Sequence, residues 1–412
     1  MLKLWAGVLV AILSLRLAAQ SSGSVQELEA SARQHLAAKD AIGALADYEK
    51  LALLAPNSAV YQDEIGFLLA ATKRSTDAIA HFERATNLDP KMAQAWYHLG
   101  VALWLAERKD AALTALKKAV ALAPEQADFR FRLGSAYMDT GHYADAIPEL
   151  ARAATQLPGS AALWENLGLA YQQQRRFKEA RDAYRQALAL DSNNTAVRNS
   201  YGQVLVSSGD PEAGLRQFRR ILAQEPDNVH VQVNIGYAYI GAGKYQEAIK
   251  QLSAVTRVHP ELASAHYDLG VAYKQTDDLP HAKAELERAV ELEPALAEAH
   301  FTLAMTYADM SDMVQAIEQL RAAVRQRPDY VEAWYRLGSI LKDQGDVDGA
   351  IEALRQSVAL DDTDAGAFNN LGLLLRRKGD LEGARQAFAK AAEIRKAEEE
   401  QKEKKLRLGT PH

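Results

Sequence analysis

The sequence contains no cysteine, which excludes a disulfide framework and a thiolate metal site. Aromatic residues make up only 7% of the 412 residues, and the formal net charge is −6, which is mild for this length. A nucleic-acid-binding protein is expected to carry a basic face, so the charge balance argues against that partner. After the first residues, no apolar run approaches the roughly 20 residues that a membrane-spanning helix needs.

What the sequence does contain is a repeat with a period of 34 residues. A proline keeps this period at Pro56, Pro90, Pro124, Pro158, Pro226, Pro260, Pro294 and Pro328. A glycine keeps it, with Ala304 in the one gap, at Gly66, Gly100, Gly134, Gly168, Gly202, Gly236, Gly270, Gly338 and Gly372. A fixed period of this length without insertions indicates a stack of small identical units. We count eleven repeats over residues 25–398, which start at residues 25, 59, 93, 127, 161, 195, 229, 263, 297, 331 and 365.

Each repeat is predicted to form two helices. In the repeat of residues 331–364, apolar residues recur at spacings of three and four in both halves. Gly345 is expected to end the first helix in a left-handed conformation, and Asp346 to cap the second helix. A glycine inside a helix costs about 1 kcal/mol relative to alanine. Its recurrence in the first helix therefore predicts the close approach of a neighbouring helix.

Three segments depart from the repeat. Residues 195–228 follow Ser192 in place of the proline and carry Gly214 in place of a recurrent alanine, which we interpret as ordinary drift, with a looser joint as the alternative. Pro148 is expected to kink its helix or to delay the helix start. Residues 399–412 form a charged tail, which we predict to extend the last helix into solvent.

The first residues differ from the rest of the chain. Lys3 precedes an apolar run over residues 4–15, and the small residues Ala18 and Ala19 follow it. This order is typical of a secretory signal peptide, so we predict that residues 1–19 are cleaved and that the mature protein is periplasmic or extracellular. The alternative is an uncleaved anchor, for which the run is short.

The repeat resembles that of the tetratricopeptide repeat family. The family's signature positions have counterparts in the third repeat at Trp96, Leu99, Gly100, Leu103, Ala112, Ala119 and Pro124. The resemblance covers residues 25–398 and implies an all-α fold, a right-handed superhelical α-solenoid of eleven helix-turn-helix repeats. It implies that the first helices line a concave groove and that the protein binds other proteins. The step from fold to function is an analogy.

The groove is the one candidate site. If the first helices line it, the residue three places before each glycine faces it or nearly so. The aromatic candidates for a peptide-binding groove are Tyr97, Phe131, Tyr267, Phe301 and Tyr335, with Phe67, Tyr237 and Trp104 nearby. Exposed aromatic residues suit the binding of an extended peptide or a helix, whereas the alternative is that these rings are half-buried against the next repeat.

Basic residues are predicted to make the C-terminal half of the groove more positive, and they favour an acidic segment as ligand. They are Lys274, Lys342, Arg376 and Arg377, set against Asp309 and Asp343. Two family subtypes are not matched. The places where some members clamp a C-terminal carboxylate with lysine hold aromatic residues here. The asparagine ladder of O-GlcNAc transferase is interrupted, since only Asn166, Asn234 and Asn370 fit it.

No residues assemble a catalytic or metal site in the sequence. The recurrent glycines lie inside helices and not in a phosphate-binding loop, and no serine, histidine and carboxylate form a recognisable triad. No two histidines form a short-spaced ligand pair on one helix. His266 and His300 take the place of tryptophan in other repeats, so we interpret them as packing residues.

We therefore predict a non-enzymatic scaffold without a metal or a cofactor. Its predicted partner is a protein or peptide segment, and not nucleic acid. One alternative is a structural array that self-associates, and the other is an accessory subunit of an envelope glycan synthase or transferase.

Overall fold

The computed structural model describes residues 24–408, with side chains to residue 403; the predicted signal segment, residues 1–19, lies outside this range. Within it every regular element is an α-helix, as predicted. The first helix, α1, covers residues 24–37. The others are α2 (Ala41–Leu54), α3 (Ala59–Ala71), α4 (Ser75–Leu88), α5 (Ala93–Leu105), α6 (Lys109–Leu122), α7 (Ala127–Asp139), α8 (Tyr143–Gln156), α9 (Ala161–Gln173), α10 (Phe177–Leu190), α11 (Thr195–Ser207), α12 (Pro211–Leu222), α13 (Val229–Gly241), α14 (Tyr245–Val258), α15 (Ala263–Gln275), α16 (Leu279–Leu292), α17 (Ala297–Asp309), α18 (Met313–Gln326), α19 (Val331–Asp343), α20 (Val347–Leu360), α21 (Ala365–Lys378) and α22 (Leu381–Leu408).

The helices pack as pairs within each repeat. The two helices of a repeat, such as α5 and α6, make the most extensive contacts, and the second helix also packs against the next first helix. First helices of successive repeats touch as well, for example α3 with α5 and α7 with α9. Between residues 24 and 408, no helix combines the length and the apolar character that a membrane span requires.

A left-handed residue separates the two helices of every repeat. Gly209, Gly345 and Gly379 have φ values of 88°, 82° and 91°, as the sequence predicts for these turns. The Asp346 side chain accepts a hydrogen bond from the backbone N–H of Gly349, which confirms its capping role. Six turns adopt the same conformation without glycine, at Lys39, Lys73, Glu107, Arg175, Asp277 and Ser311.

The recurrent glycines are sites of close packing, as predicted. A Cβ atom added at Gly100 would lie 2.7 Å from Cγ of Leu116, which is on the paired helix α6. The same clash recurs between Gly134 and Leu150 at 2.7 Å. One large, buried side chain of the second helix therefore fills the space that each glycine leaves. These side chains include Phe82, Leu116, Leu150, Tyr184, Leu252, Leu286 and Leu354.

Of the two effects expected of Pro148, a delayed start of α8 is wrong, and a kink stays a prediction. The helix begins at Tyr143, which is the same repeat position at which α6 and α10 begin, and it runs through the proline. The turn before it fixes the start, since Gly141 is left-handed and the N–H of His142 bonds to the carbonyl of Tyr137.

The chain divides into two compact units between Val204 and Leu205, within α11. The first unit contains α1 to α10, and the second contains α12 to α22. The division falls inside the repeat whose sequence departs furthest from the pattern. At the C-terminal end, α22 reaches Leu408 and so continues beyond the last repeat.

Candidate binding face of the first helices

Two adjoining cavities open on the face that α3, α5 and α7 share in the first unit. The apolar cavity, of about 400 Å³, is lined by Phe67, Ala70, Ala71, Phe82, Tyr97, His98, Val101, Ala102 and Leu105. The polar cavity, of about 480 Å³, is lined by Gln94, Tyr97, Gln126, Asp128, Phe129, Phe131, Arg132 and Ser135. Because Tyr97 borders both cavities, one ligand could occupy the two together.

The rings three places before the glycines are half-buried. Those of Tyr97 and Tyr267 contact the next repeat, and that of Phe301 contacts Tyr330, the residue just before α19. Tyr97 stacks on Phe129 with the ring centroids 4.5 Å apart, and Phe301 lies 5.0 Å from the ring of Tyr330. Burial raises the pKa of Tyr267 to about 12, against a smaller opposing effect of its hydrogen bond with Thr302.

The remaining rings of this set have other neighbours. Phe131 packs against a buried cluster that includes Leu163, and Tyr335 accepts a hydrogen bond from Asn370 at 3.5 Å. Phe131 and Tyr335 thus also contact the repeat that follows, and each of the five side chains remains partly exposed to solvent. The five positions therefore combine packing with a possible contact surface.

Three further aromatic residues lie at other positions of the first helices. Phe67 is 50% exposed at the mouth of the apolar cavity, where Leu105 is 72% exposed. The Tyr237 hydroxyl lies 3.2 Å from that of Ser207. Trp104 is half-buried, and the guanidinium of Arg132 from the next repeat lies over its ring at 5.6 Å from the centroid.

The basic residues of the second unit are partly neutralised. Lys274 bonds to Asp309 at 2.5 Å, and Lys342 lies 3.6 Å from a carboxylate oxygen of Asp343. Arg376 and Arg377 are exposed, and Arg376 lies over the ring of Phe388. The excess of positive charge on these helices is therefore smaller than the sequence alone indicates.

A polar residue stands two places before the glycine in ten successive repeats, and we call this place the ladder position. Its residues are Glu64, His98, Arg132, Asn166, Ser200, Asn234, Asp268, Thr302, Arg336 and Asn370. Several of them bond to the preceding repeat, as His98 does to Asp63 at 2.9 Å and Asn166 to Ser135 at 3.2 Å. An asparagine at this place recurs in only three repeats, whereas a polar residue of any kind recurs in all ten, so the ladder is visible in the sequence only as a pattern of polarity.

Two residues of the ladder have no partner in the described part of the chain. Arg132 is half-buried, no carboxylate lies within ion-pair distance of it, and its buried Nε has no hydrogen-bond acceptor. Asp268, in the second unit, is half-buried without a hydrogen bond or an ion pair, and burial raises its pKa to about 7. Within the described residues, an unpaired basic residue and an unpaired acidic residue thus occupy equivalent places in the two units.

The residue four places before the glycine anchors the turn that precedes the first helix. The indole N–H of Trp164 donates to the carbonyl of Pro158 at 2.9 Å. His266 places Nε2 3.2 Å from the carbonyl of Pro260, and its Nδ1 lies beside Glu285. This geometry confirms the packing role predicted for the histidine. Among residues 24–408, no group of histidine and carboxylate side chains is arranged to hold a metal ion.

Models of repeat families match most of the chain. The model described as the cytochrome c-type biogenesis protein H TPR domain matches residues 150–266. One tetratricopeptide repeat model matches residues 68–127, 301–365 and 341–399, and a second matches residues 103–168 and 239–305. No curated protein matches the sequence significantly.

Several solved structures are similar to parts of the chain. A crystal structure of MamA is 26% identical, with a TM-score of 0.38, and the match covers 40% of this chain and 97% of MamA. Naa15/Naa10 bound to HypK-THB is 17% identical, with a TM-score of 0.44, over 90% of this chain and 68% of that one. The human IFIT1 dimer with PPP-AAAA is 15% identical, with a TM-score of 0.44, over 82% of this chain and 91% of that one.

Proposed function

Because the chain belongs to the tetratricopeptide repeat family, we propose that it is a non-enzymatic scaffold that holds a protein or peptide segment on the face of its first helices. Repeats of this family are protein-interaction modules, and stacked helix pairs offer extended binding surfaces. The proposed segment lies along α3, α5 and α7, where the apolar and the polar cavity adjoin.

The pair of adjoining cavities is the observation that carries this proposal. Phe67 and Leu105 expose half or more of their surface at the apolar cavity, although a soluble protein rarely leaves such side chains together without a function. Buried aromatic and aliphatic anchors supply most of the free energy of peptide binding. The cavity offers a place for one such anchor.

The test is affinity capture from the native source with chemical crosslinking, comparing the wild type with Phe67→Glu/Leu105→Glu. We expect the double variant to lose the proteins that crosslink to the wild type. The matched control is Val258→Glu/Val314→Glu, which adds the same charges at residues that are 66% and 76% exposed on second helices. Equal capture by wild type, variant and control, with equal melting temperatures, would reject the face as the binding site.

The proposal includes a compartment, the periplasm or the extracellular space. It is supported by the order of Lys3, the apolar run over residues 4–15 and the small residues Ala18 and Ala19. Mass spectrometry of the native protein tests it. A mature chain that starts at Gln20 is the expected result, whereas an intact, membrane-retained start at Met1 would favour the anchor.

A structural array is the second candidate, and exposed apolar residues near the N-terminal end favour it. Ile42 and Leu53 of α2 are 75% and 83% exposed, and Val60 of α3 is 53% exposed. Analytical ultracentrifugation distinguishes the two functions. A mass that rises with protein concentration and falls in Ile42→Glu/Leu53→Glu would support self-association.

A further inference from the structure

We propose that the first unit selects peptide segments that carry an acidic and an apolar residue two places apart, in either order. Arg132 binds the carboxylate of the acidic residue, and the apolar cavity holds the apolar side chain. This inference rests on the proposed function and names the chemistry of the partner. It depends on three features of the polar cavity, which are an unpaired guanidinium, neutral polar groups around it and a shared wall with the apolar cavity.

The guanidinium of Arg132 is positioned by an aromatic ring but lacks a hydrogen-bond acceptor for its Nε among the described residues. It lies over the ring of Trp104 at 5.6 Å, and the Nε is buried. No carboxylate among the described residues pairs with the guanidinium, and Arg132 lines the polar cavity, so the residue is available to an arriving acceptor there. The planar fork of N–H groups matches a carboxylate with two parallel hydrogen bonds.

The other groups of the polar cavity suit a carboxylate beside Arg132. Gln94, Gln126 and Ser135 can donate hydrogen bonds. Burial, with a smaller contribution from Asp128, raises the pKa of Tyr97, so its hydroxyl keeps its proton.

Asp128 is the one opposing charge on the cavity wall. It lies one helical turn before Arg132, it is exposed, and it makes no ion pair with the guanidinium. Its repulsion places the incoming carboxylate at the Arg132 end of the cavity, since two carboxylates side by side disfavour each other.

Tyr97 determines that the two ligand side chains are close in sequence. Its ring borders both cavities and is fixed by stacking on Phe129. An extended segment presents alternate side chains to the same face, so we expect the acidic and the apolar residue at i and i+2. Residues of α3 form the outer wall of the apolar cavity, and beyond the polar cavity the first helix α9 packs against α7, so the segment can continue along this face. The carboxylate is therefore that of an internal Asp or Glu and not of a chain terminus.

The second unit provides a matched control. Arg336 also occupies the ladder position, but its Nε donates to Glu332 at 2.8 Å. Replacing Arg336 removes one positive charge, as replacing Arg132 does, but this arginine is already paired with Glu332. The variant should therefore keep the preference for acidic peptides.

The experiment is a selection from random dodecapeptides displayed on phage, run in parallel on the full chain and on two variants, Arg132→Gln and Arg336→Gln. We expect the wild type and Arg336→Gln to enrich peptides with an apolar and an acidic residue two places apart. We expect Arg132→Gln to keep the apolar preference and to lose the acidic one. Melting temperatures measured beforehand show whether each variant is folded, and Arg132→Lys, which keeps the charge without the fork, should give an intermediate preference.

Synthetic copies of an enriched peptide then test the contact directly. Replacing the acidic residue by its amide should weaken binding to the wild type at least about tenfold and leave binding to Arg132→Gln unchanged. Enrichment of apolar peptides without an acidic preference would overturn this inference and leave the proposed function intact. The absence of any enriched peptide would instead count against the proposed function. Loss of binding on amidation of the C-terminus, and not of the side chain, would overturn the choice of an internal residue.

Discussion

In the first compact unit the ladder position of α7 carries Arg132, whereas in the second unit the ladder position of α15 carries Asp268, and neither has a hydrogen-bond or ion-pair partner within residues 24–403. The backbone around the two residues is built in the same way, since both lie two places before a glycine that packs against a leucine of the paired helix. A repeat protein can therefore vary the charge of its binding face without altering its core.

The comparison separates two kinds of position in each repeat. The glycine and the large side chain opposite it recur because the helix pair cannot close without them. The ladder position varies in charge and size because its side chain lies between neighbouring first helices and not within the pair. We expect variants of the first kind to affect stability in both units, and variants of the second kind to differ between the units.

The largest expected effect is that of a large side chain at a recurrent glycine. Gly100→Leu in the first unit and Gly236→Leu in the second would each collide with the leucine of the paired helix, so we expect each to cost a few kcal/mol of stability, on the order of 3. Gly159→Leu is the control, because no atom lies within 4 Å of a Cβ added there. Chemical denaturation gives the free energy of unfolding of the three variants. If Gly100→Leu and Gly236→Leu are as stable as the control, the close-packing account of these glycines is wrong.

A smaller effect is expected from Asp268, and it depends on pH. Its folded-state pKa of about 7 lies above the unfolded value of about 3.9. Between these values the folded protein retains a proton that the unfolded chain has released, so this group lowers stability as pH rises from about 4 to about 7. Asp268→Asn lacks this dependence. The free energy of unfolding of Asp268→Asn, relative to that of the wild type, should therefore rise by about 1 to 3 kcal/mol over that pH range and stay constant above it.

The matched variant in the first unit is Arg132→Gln, because an arginine stays charged throughout the accessible pH range. We expect its stability relative to the wild type to be the same at pH 5 and at pH 8. Thermal unfolding of both variants at several pH values makes the comparison. A pH-independent difference for Asp268→Asn would mean that its carboxyl titrates normally.

Loss of the hydrogen bond between the tryptophan and the turn before its helix should cost about 1 kcal/mol of stability in either unit. The indole N–H of Trp164 in the first unit and of Trp334 in the second donates to a proline carbonyl at 2.9 Å and 2.8 Å. Trp164→Phe and Trp334→Phe remove a net hydrogen bond of about that value while they keep most of the ring. Urea denaturation should show similar losses for the two variants. A difference between them of more than the value of one hydrogen bond would show that the repeats are not equivalent at this position.

The repeat made most of the backbone predictable. The period placed the helix pairs, and the glycines at positions such as 345 and 379 marked turns that are left-handed in the structure. Pro148 misled the prediction because a local rule for proline was applied where the preceding turn fixes the helix start. The left-handed turn residue is common to all repeats, but the sequence indicates it only where it is glycine. Lys73 and Arg175 adopt the same backbone conformation with a side chain.

The candidate site was predictable only in part. Residues such as Tyr97 were placed on the face of the first helices by helical spacing, and Tyr97 does line both cavities. The pairing of charges was not accessible from the sequence, because it depends on which side chain of the next helix reaches each residue. Lys274 bonds to Asp309, which is 35 positions away in the sequence, whereas Arg132 makes no ion pair with any described residue, although Asp128 is one helical turn away.

The smallest effect concerns the turns, in which the two units differ. Of the left-handed turn residues, four of five in the first unit are not glycine, whereas four of six in the second are glycine. A left-handed residue with a side chain costs roughly 1–2 kcal/mol, and glycine loses about 0.5–1 kcal/mol through its greater freedom in the unfolded chain. We therefore expect Lys73→Gly and Arg175→Gly to stabilise the protein, each by up to about 1 kcal/mol. Lys118→Gly, an exposed change in the interior of α6, should destabilise it by about 1 kcal/mol. Melting curves that shift in the same direction for all three variants would contradict the assignment of strain to these turns.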